Sequence, residues 1–526
     1  MMRKSITFYA IAVLLILLQS CNNSQQVSIK DHVSTAYGQV SGIHNEESGI
    51  TVFKGVPFAA PPVGELRWKE PQPPEPWDGI KECTEFSASP IQGKPVPFSM
   101  WTQEFISPAE PLSEDCLYLN IWTGAEKSGE KRPVFMYIYG GAFSSGSGAV
   151  PIYDGEAMAG KGLVFITINY RVGMLGFLAH PELTAESEYG VSGNYGLLDQ
   201  IQALKWIREN IDVFGGDPYN VTIAGQSAGA FSVNYLVASP LAKGLFHRAI
   251  AESGGAVLPS NRLAAGNVLS EAEKRGLAWA ESLGAGSLTE LRKKTADEIL
   301  AAPGMASPVV DGYVIPDQLY NIFSEGRQND VPLILGWNED EGFGGPPVSA
   351  IQFREQVIQR YGDMAEKFFE LFPFNTDEEA VAIQNKLGSL PPFGIQACQW
   401  MFFQNETGQS STYIYNFARD LPYTEDMQDF GAFHTGEVPY AYNNLKMSPR
   451  PWTESDYQLA DMMSDYWVNF ASTGNPNGEG LPEWNPCTPD DPTAMRFDKE
   501  VECVTLPDIN LLKFLIDFYT SQLNEQ

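Results

Sequence analysis

The sequence predicts an α/β fold, with a central, mostly parallel sheet covered by helices. Three observations predict it. Short apolar, β-branched runs alternate with helical patterns along most of the chain. A Gly-x-Ser-x-Gly turn sits where one such run passes into a helix. Hydrophobic residues make up 43% of the 526 residues and aromatics 12%, enough for one large core and too many for disorder. No internal repeat or long low-complexity run divides the chain, and α/β folds with insertions reach this length as one unit.

The elements follow in order. Arg3 and Lys4 precede an apolar stretch, Ile6 to Leu18, too short for the ~20 residues of a comfortable membrane span. It fits the apolar region of a signal peptide. Leu18-Gln19-Ser20-Cys21 resembles a bacterial lipoprotein processing site, so residues 1–20 are expected to be a lipoprotein signal peptide and Cys21 the lipidated residue. Residues 21–30 read as a polar tether and 31–526 as the folded domain. The expected location is the cell envelope, by export, with membrane contact through the lipid anchor only. No other stretch is long and apolar enough to span a bilayer.

Pro57 to Pro76 is proline-rich with interleaved apolar residues and reads as ordered, extended surface chain. Pro133–Tyr139 and Leu163–Asn169 read as buried strands. Leu197, Ile201, Leu204, Ile207, Ile211 and Phe214 recur at helical spacing. Val221–Ala224, Arg248–Glu252, Val331–Leu335 and Thr412–Phe417 are further strands, and residues 260–305 and 350–410 are helix-rich.

Charge and cysteines narrow the function. The net charge of −31 repels phosphate backbones, which excludes nucleic acid as a partner and disfavours polyanionic substrates. Beyond Cys21 there are five cysteines, Cys83, Cys116, Cys398, Cys487 and Cys503. Export permits disulfides, but the odd number leaves at least one thiol free. None forms a C-x-x-C pair, so zinc-ribbon and thioredoxin-like readings have no support.

Gly225-Gln226-Ser227-Ala228-Gly229 follows a strand and precedes a helix, the setting of a nucleophile elbow. A bare motif would arise by chance about 0.2 times in such a chain, so the setting carries the weight. A serine nucleophile needs a base, and in this arrangement the order is Ser, acid, His. Of the five histidines only His247 and His434 follow Ser227, and His247 follows too soon for an intervening acid-bearing strand. His434 remains. The acid should end a strand, and Val331–Leu335 runs into Glu339-Asp340-Glu341, among which position does not choose. Gly140-Gly141-Ala142, after Pro133–Tyr139, suits an oxyanion hole, with the N–H of Ala228 as a further donor.

These segments together resemble the type B carboxylesterases, the family that includes the cholinesterases. The matches are Gly55-Val56-Pro57-Phe58-Ala59 through Arg67-Trp68, Ser113 to Asn120, Tyr139 to Phe143, Gly193 to Gln200, Phe214 to Pro218, the elbow, Asp340-Glu341-Gly342 and the His434 segment. They span nearly all of the chain after the leader. The resemblance implies an α/β-hydrolase fold with helical insertions and serine ester hydrolysis through an acyl-enzyme. It assigns Ser227 as nucleophile, Glu341 as acid and His434 as base, with Gly141, Ala142 and Ala228 as oxyanion donors. It implies a small-molecule ester substrate, no metal or organic cofactor, and an ion pair between Arg67 and Glu114. Non-catalytic adhesion or scaffold members lack a triad residue, whereas all three are present here. Amidase or lipase specificity is the other alternative.

Three positions depart from the family pattern. Gln226 stands where glutamate is frequent, which implies tuning rather than loss. The cysteine that usually pairs with that of Ser-Glu-Asp-Cys is missing near Pro90, and whether Cys83 replaces it as the partner of Cys116 is open. Trp101 is near the region of the cholinesterase aromatic residues at the wrong spacing, so the chain is not read as a cholinesterase.

Overall fold

The computed structural model describes residues 28–260, 267–304, 307–425 and 427–523. The leader, Cys21 and most of the tether lie outside the described residues. Eleven strands form the main sheet. They are β1 (Ile43–Asn45), β2 (Ile50–Pro57), β3 (Tyr118–Thr123), β4 (Arg132–Ile138), β5 (Val164–Ile168), β6 (Gly216–Gln226), β7 (Arg248–Glu252), β8 (Leu333–Asn338), β9 (Thr412–Phe417), β10 (Thr493–Phe497) and β11 (Val501–Thr505). Their spatial order is β11-β10-β9-β8-β7-β6-β4-β5-β3-β2-β1. Pairing is parallel from β5 through β4, β6, β7, β8 and β9 to β10. It is antiparallel at both margins. This is the α/β-hydrolase architecture expected from the sequence.

Why these residues make a doubly covered sheet is visible in the central strands. Successive strand side chains point to opposite faces. In β5 all five residues are buried, so both faces are covered. The same holds for Val134, Phe135, Met136 and Ile138 of β4, each worth about 1.5–3 kcal/mol by burial. Helix α1 (Tyr195–Asn210) and the wholly buried α2 (Ala228–Ala238) pack against β6. Beyond β8 a helical insertion contains α3 (Ala350–Tyr361), α4 (Asp377–Ser389) and α5 (Ile395–Thr407).

Ion pairs fix the segments between these elements. Arg67 donates through Nε to Glu114 at 2.6 Å and through Nη1 to the Lys294 carbonyl at 2.6 Å, the pair that the resemblance implied. Arg171 and Asp199 form a buried bidentate pair at 2.8 and 2.7 Å. All five described cysteines are free thiols, so Cys83 and Cys116 are unpaired. Burial pushes the Cys83 thiol up to about 11 and Cys116 well above its usual range, leaving both protonated and unreactive at neutral pH.

Candidate active site

Parallel strands bring their carboxyl ends to one edge, where α/β sheets place their chemistry. β4 runs into Gly140-Gly141-Ala142, β6 into Ser227 and β8 into Glu341. Ser227 sits between β6 and α2 with φ +56° and ψ −125°, a conformation that costs a non-glycine residue ~1–3 kcal/mol. The packing around it holds that strain. Its N–H donates to the Glu252 carbonyl at 2.9 Å. A Cβ on Gly229 would lie 1.9 Å from the Ile138 carbonyl oxygen, so only glycine lets α2 approach β4 this closely. A Cβ on Gly140 would lie 2.9 Å from the Ser227 Cβ, which packs the glycine loop against the serine. No acceptor among the described residues takes the N–H of Gly141 or Ala142. The N–H of Ala228 heads α2, where first-turn donors have no intrahelical partner.

The three carboxylates after β8 separate by environment. Glu339 forms a part-exposed pair with Arg496 at 2.8 Å. Asp340 accepts from the Ala432 N–H at 3.2 Å and forms a parallel bridge with Phe433, tying the two loops together. Glu341 is fully buried. Its Oε1 accepts from the Asn338 N–H at 2.8 Å, and its Oε2 lies 2.5 Å from His434 Nδ1. Ser389 Oγ accepts from the Glu341 N–H at 3.1 Å and donates to the Glu339 carbonyl at 3.0 Å. Gly342 takes φ +77°, the conformation that lets the chain turn just after Glu341.

His434 is 2% exposed. Phe393 stacks on its ring at 4.9 Å, Phe343 meets it edge-on at 4.9 Å and Trp101 at 6.2 Å. This shell buries the His434–Glu341 hydrogen bond in a low-dielectric surrounding, which strengthens it. With Nδ1–H donated to Glu341, Nε2 is an acceptor, and the Gln226 side-chain N–H lies 3.2 Å from it. Gln226, the residue before Ser227, thus ties His434 to the elbow, with its amide N–H at the Nε2 acceptor. The Gln226 carbonyl oxygen accepts from Thr435 Oγ1 at 3.3 Å, and Thr435 Oγ1 accepts from Trp101 Nε1 at 3.1 Å. Nδ1 of His247 accepts from the Val221 N–H and Nδ1 of His180 from the Glu182 N–H.

Two further carboxylates lie behind the site. Burial pushes Glu252 up to about 8, with the Tyr442 hydroxyl and Trp467 N–H donating to it and partly opposing the shift. Burial, with Glu252 and Glu341 nearby, raises Glu437 well above the carboxylate range. Sequence reasoning missed Ser389, Phe343, Phe393, Glu252 and Glu437. It set Trp101 aside, yet the structure places that ring against His434.

A strained serine on a strand-to-helix turn, a dry Glu–His pair and an unengaged glycine loop define a class, the serine ester hydrolases of the α/β-hydrolase fold. The carboxylesterase family model matches residues 29–389 and 392–510. The chain belongs to the carboxylesterase family and is a serine carboxylic-ester hydrolase. It is 37% identical to a fumonisin B1 esterase of Sphingopyxis macrogoltabida over 86% of this chain and 83% of that protein. It is 33% identical to a human cocaine esterase over 92% and 90%. It is 32% identical to the para-nitrobenzyl esterase of Bacillus subtilis (strain 168) over 85% and 91%.

Proposed function

We propose that Ser227, His434 and Glu341 are the nucleophile, base and acid of an acyl-enzyme mechanism. The observation that carries this is the buried Glu341–His434 hydrogen bond, held beside the elbow by Gln226. His434 Nε2 takes the Ser227 hydroxyl proton as Oγ bonds to the ester carbonyl carbon. The N–H groups of Gly141, Ala142 and Ala228 receive the negative charge that develops on the carbonyl oxygen. The C–O bond to the alcohol then breaks, and His434 protonates the leaving oxygen. Water attacks the acyl-enzyme with His434 again as base, releasing the acid and restoring Ser227. Relatives named for fumonisin B1, cocaine and para-nitrobenzyl substrates support a small-molecule ester as substrate. A fluorophosphonate adduct mapped by peptide mass spectrometry is expected on Ser227; an adduct on another serine overturns the assignment.

We also propose export and lipidation at Cys21, supported by the Leu18–Cys21 motif. A single acyl chain of myristoyl length binds membranes marginally, so a stable anchor needs more than one. Mass spectrometry of the native N-terminus should find cleavage before Cys21 and added acyl mass. A mature N-terminus elsewhere without lipid refutes it.

A further inference from the structure

A groove of about 540 Å³ opens between the Phe343–Val348 loop, α3 and α4. It adjoins the proposed catalytic residues at two points. Phe343 lines it while contacting His434, and Gly388 lines it beside Ser389, which holds Glu341. One wall is tied down. The Gln384 side chain makes paired hydrogen bonds with the Val348 main chain at 2.9 and 3.0 Å, joining α4 to the loop.

The lining is unusual for a chain with a net charge of −31. It contains apolar side chains, glutamine amides and no carboxylate; its one charged group is Arg360. Arg360 donates to the Tyr519 hydroxyl at 2.6 Å and lies over the Tyr361 ring at 5.9 Å, and it takes part in no ion pair among the described residues. The neighbouring cations are engaged elsewhere: Lys386 pairs with Asp508, and Arg354 lies over the Phe369 and Phe374 rings. Along α3, Phe353 to Arg360 spans roughly 10 Å at the helical rise. That is the reach of a medium-length alkyl chain.

We propose that this groove takes the alcohol arm of an extended ester and that Arg360 binds a carboxylate at the arm's far end. The proposal rests on the residue roles assigned above. In that mechanism the leaving alcohol lies against His434, and the groove begins at the ring packed on His434, so the arm it receives is the alcohol's. A single planar guanidinium with no second cation suits a monoanionic carboxylate, which it binds through paired N–H donors.

The test compares phenyl acetate, decyl acetate and the acetate ester of ω-hydroxydecanoic acid on the full chain. Wild type should favour the carboxylate ester over decyl acetate in kcat/KM by roughly tenfold or more, the scale of a charge-assisted hydrogen bond. Arg360→Gln should bring the two long esters together by raising KM for the carboxylate ester, leaving phenyl acetate unchanged. Gln356→Trp, at an exposed lining position, should raise KM for both long esters and spare phenyl acetate. Equal wild-type rates on the long esters, a preference that survives Arg360→Gln, or long esters indifferent to Gln356→Trp each overturn the groove proposal. Loss of phenyl acetate hydrolysis in wild type would instead overturn the catalytic reading.

Discussion

The elbow and the insertion build one site by opposite means. Around Ser227 every residue of α2 is buried, and backbone contacts leave no room for a side chain at Gly229. The insertion after β8 is open. Phe343 is 52% exposed, and Ile351 and Ile358 of α3 are 76% and 53% exposed. The strained conformation persists only where close packing over-determines it. The side that water still touches is free of that constraint. Glu341, the proposed acid, lies where the two regions meet, held by Asn338 at the end of β8 and Ser389 from α4.

That contrast breaks most completely at Ser227, the proposed nucleophile. Ser227→Ala should lower kcat by roughly 10⁴-fold or more, with the melting temperature unchanged, because the hydroxyl makes no packing contribution comparable to its chemistry. Residual turnover near wild type would remove Ser227 from the mechanism.

The acid is next. Glu341→Gln should lower kcat by about 10³–10⁴-fold, since the imidazole loses its held tautomer and charge partner. Glu339→Gln removes a part-exposed ion pair and should change stability by less than about 1 kcal/mol, with kcat retained. Asp340→Asn keeps the main-chain bridge to Phe433 and an oxygen to accept from the Ala432 N–H, so it should change the melting temperature little and keep most activity. A collapse of kcat in Glu339→Gln with Glu341→Gln intact would reverse the assignment.

How much of this was legible in the sequence follows the same division. Thr412–Phe417 and Arg248–Glu252 are strands with the expected bounds, because both are uninterrupted runs buried on two sides. Val331–Leu335 is shifted; β8 begins at Leu333 and continues through Gly336 to Asn338, where pairing with β9 carries a glycine and a polar residue that the apolar pattern rejects. β2 and β3 were not anticipated, since polar residues and Pro57 interrupt their runs. Local order singled out Ser227 and His434, but the choice of Glu341 came from family resemblance. Phe343, Ser389 and Phe393 reach the site from an insertion that reads locally only as helix. Their roles arise from contacts across many tens of residues, which no periodicity records.

Packing at the elbow is a sharper probe than its chemistry. Gly229→Ala sets a methyl group 1.9 Å from the Ile138 oxygen, so α2 must move off β4. The cost should be several kcal/mol, read as lost soluble protein or a markedly lower urea midpoint. On the open side, Ile358→Gln should change stability by no more than about 0.5 kcal/mol. Equal losses from the two variants would erase the distinction between the regions.

The remaining probe is pH, acting through Glu252. Burial raises its carboxyl from 4.5 to about 8, so at neutral pH the folded chain holds a proton there that the unfolded chain releases. Because the folded state binds more protons between these values, stability falls as pH rises from 4.5 towards 8 and then stops falling on this account. At pH 7 the cost is on the order of 3 kcal/mol. Glu252→Gln keeps an acceptor for the Tyr442 hydroxyl and Trp467 N–H but cannot ionise. Its stability should therefore decline less between pH 5 and 8 than that of wild type. Some slope should remain, since buried Glu437 is raised in the same direction. Urea unfolding at several pH values measures both slopes. Parallel curves for the two proteins would show that Glu252 is not the group that titrates, whereas a flattened curve would locate the pH sensitivity of this fold on the strand next to the nucleophile.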